Sequence, residues 1–207
     1  MTFPLPDLPY AYDSLAPVLS ETTLRTHHDK HHARYVTVTN EILSKAEAKP
    51  ASLEDVVKEA SAKGDKKLFN NAGQAWNHGF FWDAMTDNYE GPEGELLSAI
   101  NAAFGDLEGL KAKFVAEGVG HFGSGWVWLI AKDGELSVTS THDGVTALEL
   151  GGTPLTVCDL WEHAYYLDHK NDREGFLKAW FDKTVNWPFA ADQLAGETWT
   201  YPAPTAG

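Results

Sequence analysis

Between Ser20 and about Lys45, apolar and aromatic positions recur in steps of three and four: Leu24, His27, His31, Tyr35, Val38 and Ile42. That spacing lays them along one stripe of an α-helix. Lys30, Arg34, Thr37 and Glu41 fall on the opposite face and are assigned to water. Ser20 stands where an N-cap belongs, and Glu21 in the first turn suits the helix dipole. Ahead of it, Pro4, Pro6, Pro9 and Pro17 predict an extended arm. Pro50 and Gly64 interrupt the pattern around a short amphipathic piece carrying Leu53, Val56 and Val57. A second helix is predicted from about Lys66 to Met85, with Gln74, His78, Phe81, Trp82 and Met85 along its stripe. Two antiparallel helices with a modest connector are the simplest arrangement of residues 20–86.

The segment TDNYEGPEG reads as a linker, followed by helical stretches over roughly 94–104 and 107–117. The period then shortens. GWVWLIAKDGELSVTST holds two β-rich runs around Asp133-Gly134, a strong hairpin signal, and a third strand is predicted over 155–158. Residues 161–169 and 174–185 return to helix. The expected fold class is α+β: an N-terminal helical-hairpin domain over residues 1–86, and a C-terminal domain over 87–207 with a three-stranded antiparallel sheet.

Composition narrows the function. Thirty acidic against 16 basic residues give a net charge of −14, which argues against nucleic-acid binding and against attraction to an anionic membrane. No apolar run approaches the roughly 20 residues needed to cross a bilayer, and MTFPLPDLPYAYDSL lacks the layout of a signal peptide, so a cytoplasmic location is expected. A single cysteine, Cys158, excludes an intrachain disulfide and a Cys-rich zinc site. Any metal must therefore be held by imidazole and carboxylate, and the chain has nine histidines and eight tryptophans.

Four segments place polar chemistry on faces expected to be buried. In HHDKHHARY, His27 and His31 share the apolar stripe with Tyr35, whereas His28 and His32 are assigned to the surface. In NNAGQAWNHGFFW, His78 follows Gln74 by one turn; a lone histidine there is more often a satisfied core residue than a ligand. In CDLWEHAYY, Asp159 ends a strand and His163 lies four residues on, a spacing that lets both converge on one ion; a plain helix-capping aspartate is the competing and compatible reading. In FGSGWVWL, Trp126 and Trp128 alternate with apolar residues, either as core packing or as the wall of a site. Together these residues suit iron, manganese or zinc. The nearby Trp, Tyr and Gln favour a redox metal, because they can hydrogen-bond and tune a metal-bound solvent.

The motifs HHDKHHARYV, AGQAWNHGFFW, FGSGWVWL and DLWEHAYYLD, in this order and spacing, resemble the iron/manganese superoxide dismutases, from LPDLPYAYDSL to VNWPF. The resemblance implies disproportionation of superoxide to dioxygen and hydrogen peroxide at a mononuclear metal. It places the four metal ligands on His27, His78, Asp159 and His163, and the residues lining the substrate funnel on Tyr35 and His31. Gln74 matches the glutamine that iron-type members carry on the second helix. Manganese-type members supply that amide from the loop after the hairpin, near Gly144, so iron is expected, with manganese the alternative; His142 lies close to that loop. Glu162 and His163 match residues that bridge two subunits of a homodimer, and Tyr166 a tyrosine that reaches the neighbouring funnel. Arg173 corresponds to an arginine near the funnel mouth, and with Lys30 and Lys170 is expected to supply a local positive field for the anionic substrate. Trp76, Trp126, Trp128 and Trp161 match aromatic positions around the metal. The chain departs from the family pattern at His28-Asp29, Cys158, Lys170 and Glu174, and the tail beyond about residue 192 matches nothing in it. A non-catalytic metal-binding protein and a mononuclear iron oxygenase are the competing functions.

Overall fold

The computed structural model describes residues 2–46 and 50–205. The first long helical run has three parts: α1 (Glu21–Thr26), a π-helical segment (His27–His32) and α2 (Ala33–Leu43). Ser20 caps α1, its Oγ accepting from Thr23 N at 3.2 Å. The solvent face is as expected, with Lys30, Arg34, Thr37 and Glu41 exposed. The buried face is not the predicted stripe. The wider i→i+5 turn carries His28 and His32 inside together with His27, and leaves His31 and Tyr35 half-buried at the rim. The surface assignment of His28 and His32 is thereby corrected. A uniform 3.6-residue period cannot anticipate such a segment.

The connector folds as α3 (Leu53–Lys63), capped by Ser52 and closed by Gly64 in the left-handed region at φ 67°. Next comes α4 (Lys66–Asp83), capped by Asp65. Every residue from Ala72 to Trp82 is buried, not one stripe alone, because α2, α3, the sheet and the C-terminal segment surround this helix.

Beyond the linker lie α5 (Gly94–Phe104) and α6 (Leu107–Gly120). β1 (Gly125–Lys132) and β2 (Glu135–His142) form the hairpin, with Asp133 and Gly134 both at positive φ, and β3 (Thr153–Asp159) follows. The sheet is antiparallel in the order β2-β1-β3, so β1 is central and Asp159 pairs with Trp126. The helix expected over 161–169 is broken: a 3₁₀ turn (Glu162–Ala164) and the one-turn α7 (Tyr166–His169) flank Tyr165, whose φ of −139° is not helical. α8 (Arg173–Lys183) and α9 (Trp187–Leu194) close the domain; α9, with Pro188 in its first turn and an Asn186 cap, has no counterpart among the predicted elements.

The core is one aromatic-rich cluster. Trp76, Trp82, Trp126, Trp128, Trp180 and Trp187 are fully buried. Each removes about 150–250 Å² from water, roughly 4–6 kcal/mol of transfer free energy at about 25 cal/mol/Å². No helix among the described residues is long and apolar enough to cross a membrane.

A candidate metal centre between the two halves

The π-helical segment, α4, the end of β3 and the 3₁₀ turn after it bring four side chains together. The ligating atoms of His27, His78, Asp159 and His163 all lie within 4.8 Å of one another. Asp159 Oδ2 is 3.0 Å from His27 Nε2, 3.3 Å from His163 Nε2 and 3.7 Å from His78 Nε2. These four atoms are buried and have no hydrogen-bond partner. An unpaired buried polar atom costs stability, and four facing one another fit a shared cation with ligand bonds of about 2.0–2.2 Å.

Neighbouring groups orient two of these four side chains. His78 Nδ1 donates to Gln74 O at 2.7 Å, which leaves Nε2 bare. Asp159 Oδ1 accepts from Trp161 N at 2.8 Å, committing one carboxylate oxygen to the backbone and leaving the other free; the cap position of the turn that follows is Trp161, so Asp159 is not its helix cap. Burial first, then the neighbouring histidines, holds the pKa of His27 and of His78 well below the ordinary imidazole range. Both are therefore neutral, the form a ligand needs. Cys158 is buried beside Asp159, and burial raises its thiol pKa, so it offers no thiolate.

Around the four, Trp161 stacks on His163 (5.4 Å between centroids, 14°), Trp126 stands edge-on to His78 (4.9 Å) and Trp82 edge-on to His27 (4.8 Å). Trp128 lies one layer out, donating to Thr141 Oγ1. Trp76 faces away from the centre: its indole donates to Glu54, and its ring packs on Phe80, Trp128 and Trp199. Trp82 and His32 were not read from the sequence as site residues. His32 stacks on His78 (5.4 Å, 20°), accepts from Trp82 Nε1 at Nδ1 and meets Ala75 O at Nε2; burial pushes its pKa down to about 3.

Gln74 is buried. Its Oε1 accepts from Trp126 Nε1 at 3.0 Å, and its Nε2 has no partner within the protein. A cavity of about 210 Å³ lies beside it, lined by Tyr35, Asn70, Asn71, Asp143, Gly144 and Trp161. Burial raises the Tyr35 pKa against the opposing effect of the Gln74 amide, so the phenol keeps its proton at neutral pH. Gly144 belongs to this wall: a Cβ there would stand 3.5 Å from Gln74 Cγ and 3.1 Å from Asn70 O. His142 turns away, to His121 Nε2 at 3.3 Å and Asp143 at 3.6 Å.

Arg173 is not a free charge at a rim. Its guanidinium donates to His121 O, Gly123 O and Leu160 O and to Tyr165 Oη, clamping the start of β1 to the end of β3. Lys170 donates to Leu167 O, whereas Lys30 is exposed next to His31. Glu162 and Tyr166 are exposed beside His163, and Phe122 is 95% exposed.

Fold and site define a helical hairpin and an α+β domain that share one buried imidazole–carboxylate metal centre. Residues 2–86 match the alpha-hairpin domain of the iron/manganese superoxide dismutases, and residues 92–193 match their C-terminal domain. The chain is 46% identical to the iron superoxide dismutase of Entamoeba histolytica over 94% of this chain and all of that protein. It is 44% identical to the iron superoxide dismutase of Escherichia coli over 94% of this chain and all of that protein. The manganese superoxide dismutase of Rhizobium meliloti is also 44% identical, over 93% of this chain and 96% of that protein. The chain belongs to the iron/manganese superoxide dismutase family, and that membership makes it an oxidoreductase acting on superoxide. Neither a non-catalytic metal-binding protein nor a mononuclear iron oxygenase is favoured beside it.

Proposed function

We propose that His27, His78, Asp159 and His163 hold one iron ion and that the chain disproportionates superoxide there. The convergence of four buried, unpartnered ligand atoms carries this reading. Bound there, the ion supplies the one-electron couple through which one superoxide leaves as dioxygen and a second leaves, with two protons, as hydrogen peroxide. The protein's own residues do the rest. Gln74 keeps an N–H free at the site because Trp126 occupies its oxygen. Tyr35 stays protonated and half-exposed at the cavity edge, so its hydroxyl can pass a proton inward, with His31 beside it at the rim. Trp82, Trp126 and Trp161 exclude bulk water from the ligands.

Iron is favoured over manganese because Gln74 supplies the amide from α4 and glycine stands at position 144. The names of the Entamoeba and Escherichia relatives point the same way. The boundary between the helical-hairpin domain, 1–86, and the C-terminal domain, 87–207, falls in the linker between ligands His78 and Asp159, so each domain contributes two ligands. Two copies pair through Glu162 and His163, with Tyr166 reaching across; Tyr166 and Leu167, which follow them in the chain, are exposed apolar side chains that a partner would cover. The protein works in the cytoplasm. The test is to strip the metal, reload iron and manganese separately, and measure superoxide turnover. Full activity with iron and little with manganese is expected. Equal activity with both overturns the metal preference, and activity with neither overturns the function.

A further inference from the structure

Residues 195–205 run back over the helical hairpin. Thr2 and Thr205 exchange backbone hydrogen bonds of 3.1 and 2.9 Å. Trp199 Nε1 donates to Asp83 Oδ2 at 2.6 Å. Tyr201 N donates to Glu54 Oε1, the oxygen that also accepts from Trp76. The Tyr201 side chain is buried; its hydroxyl donates to Pro4 O at 2.8 Å and lies 3.5 Å from His32 Nε2. Its ring stands edge-on to His32, 6.3 Å between centroids at 85°. His32 in turn lies flat on His78.

α4 is shaped for this segment. Gly79 directly follows His78, and a Cβ at that position would stand 2.9 Å from the Tyr201 ring and 3.0 Å from the Trp199 ring. Glycine is a poor residue inside a helix, and the space it leaves is filled by those two rings. The match to the family's C-terminal domain stops at residue 193, so the segment lies beyond it.

We propose that Tyr201 is a positioning residue for His78, acting through His32: its ring closes the back of α4 and holds the His32 imidazole against His78. The proposal rests on the reading of His78 as a ligand. Groups of this kind orient a ligand without touching the metal, and their loss typically weakens metal retention by about 10–100-fold.

The experiment compares iron-loaded full-length protein with Tyr201→Ala and Tyr201→Phe, following iron loss to a chelator and the visible absorption of the bound iron. Tyr201→Ala is expected to release iron about tenfold faster or more and to shift the absorption. Tyr201→Phe, which keeps the ring, is expected to match the unmodified protein in both. Release and spectrum unchanged in Tyr201→Ala overturn the proposal, even if that variant melts earlier. Should Tyr201→Ala not fold, Gly79→Ala pushes the same rings outward with the segment intact, and iron release at the unmodified rate overturns the proposal equally. Gly79→Ala should also lower the melting temperature of the full chain yet raise it in a Trp199→Ala/Tyr201→Ala background; the same sign in both contradicts the packing argument. Failure of the unmodified protein to bind iron would instead overturn the ligand assignment.

Discussion

The imidazole of His31 stacks on that of His163, ring centroids 4.2 Å apart and planes 28° from parallel. His31 thus covers the most exposed of the four candidate ligands; His163 is 12% exposed where the other three are sealed. His31→Ala should leave the metal bound but lower superoxide turnover by about tenfold. Metal content and turnover measured on the same sample check it, and unchanged turnover would remove His31 from the mechanism.

Gln74 and Gly144 face the same space from two elements, α4 and the loop after β2. Gln74→Leu removes the free amide and should lower turnover with bound iron by about 10–100-fold. A Gln74→Gly/Gly144→Gln double variant returns an amide from the other side, with a small adjustment at Asn70 O. It is expected to shift the metal that supports activity from iron toward manganese, measured after loading each metal alone. A preference for iron that survives the exchange would contradict the assignment of this amide as the determinant.

Much of this site was legible in the chain, and the exceptions have physical causes. Three separate motifs hold the four candidate ligands, because a ligand set needs particular side chains at particular steps, and those steps survive in sequence. His28 and His32 were misplaced because the π-helical turn rotates the buried face by a residue, and adjacent histidines give no clue to which pair turns in. Trp76 looked like its tryptophan neighbours, yet which side of α4 it leaves by depends on α3 and the segment after α9. That last segment carries no periodic pattern, and its role rests on long-range contacts with Pro4, Glu54 and Asp83.

Charge separates two residues expected to act alike. Lys30 is exposed beside His31, so Lys30→Glu should lower the second-order rate and make it rise, not fall, with added salt. A salt dependence identical to the unmodified protein would exclude local steering by Lys30. Arg173 is committed to three carbonyls, and Arg173→Ala should cost about 2–3 kcal/mol of stability in denaturant titrations.

Asp168 ties the C-terminal domain to the start of α1, its Oδ2 accepting from Ser20 N at 2.9 Å and Thr23 Oγ1 at 2.7 Å. Burial alone would raise its pKa, but these hydrogen bonds outweigh it and lower the value below 3.8. A depressed folded pKa contributes stability above the unfolded value and loses it as pH falls through the folded one. Asp168→Asn should therefore destabilise the protein at neutral pH, with the gap to the unmodified protein closing below about pH 4. Melting curves over that range check it; a gap that widens in acid would reverse the sign.

In the proposed site, atoms from the π-helical segment, α4, the end of β3 and the 3₁₀ turn after it share one ion. Anomalous diffraction at the iron edge from crystals of active enzyme locates that ion directly. One peak at about 2.0–2.2 Å from His27 Nε2, His78 Nε2, Asp159 Oδ2 and His163 Nε2 is the expected result. A peak elsewhere in the chain, or an active enzyme with no metal at those four atoms, would contradict it.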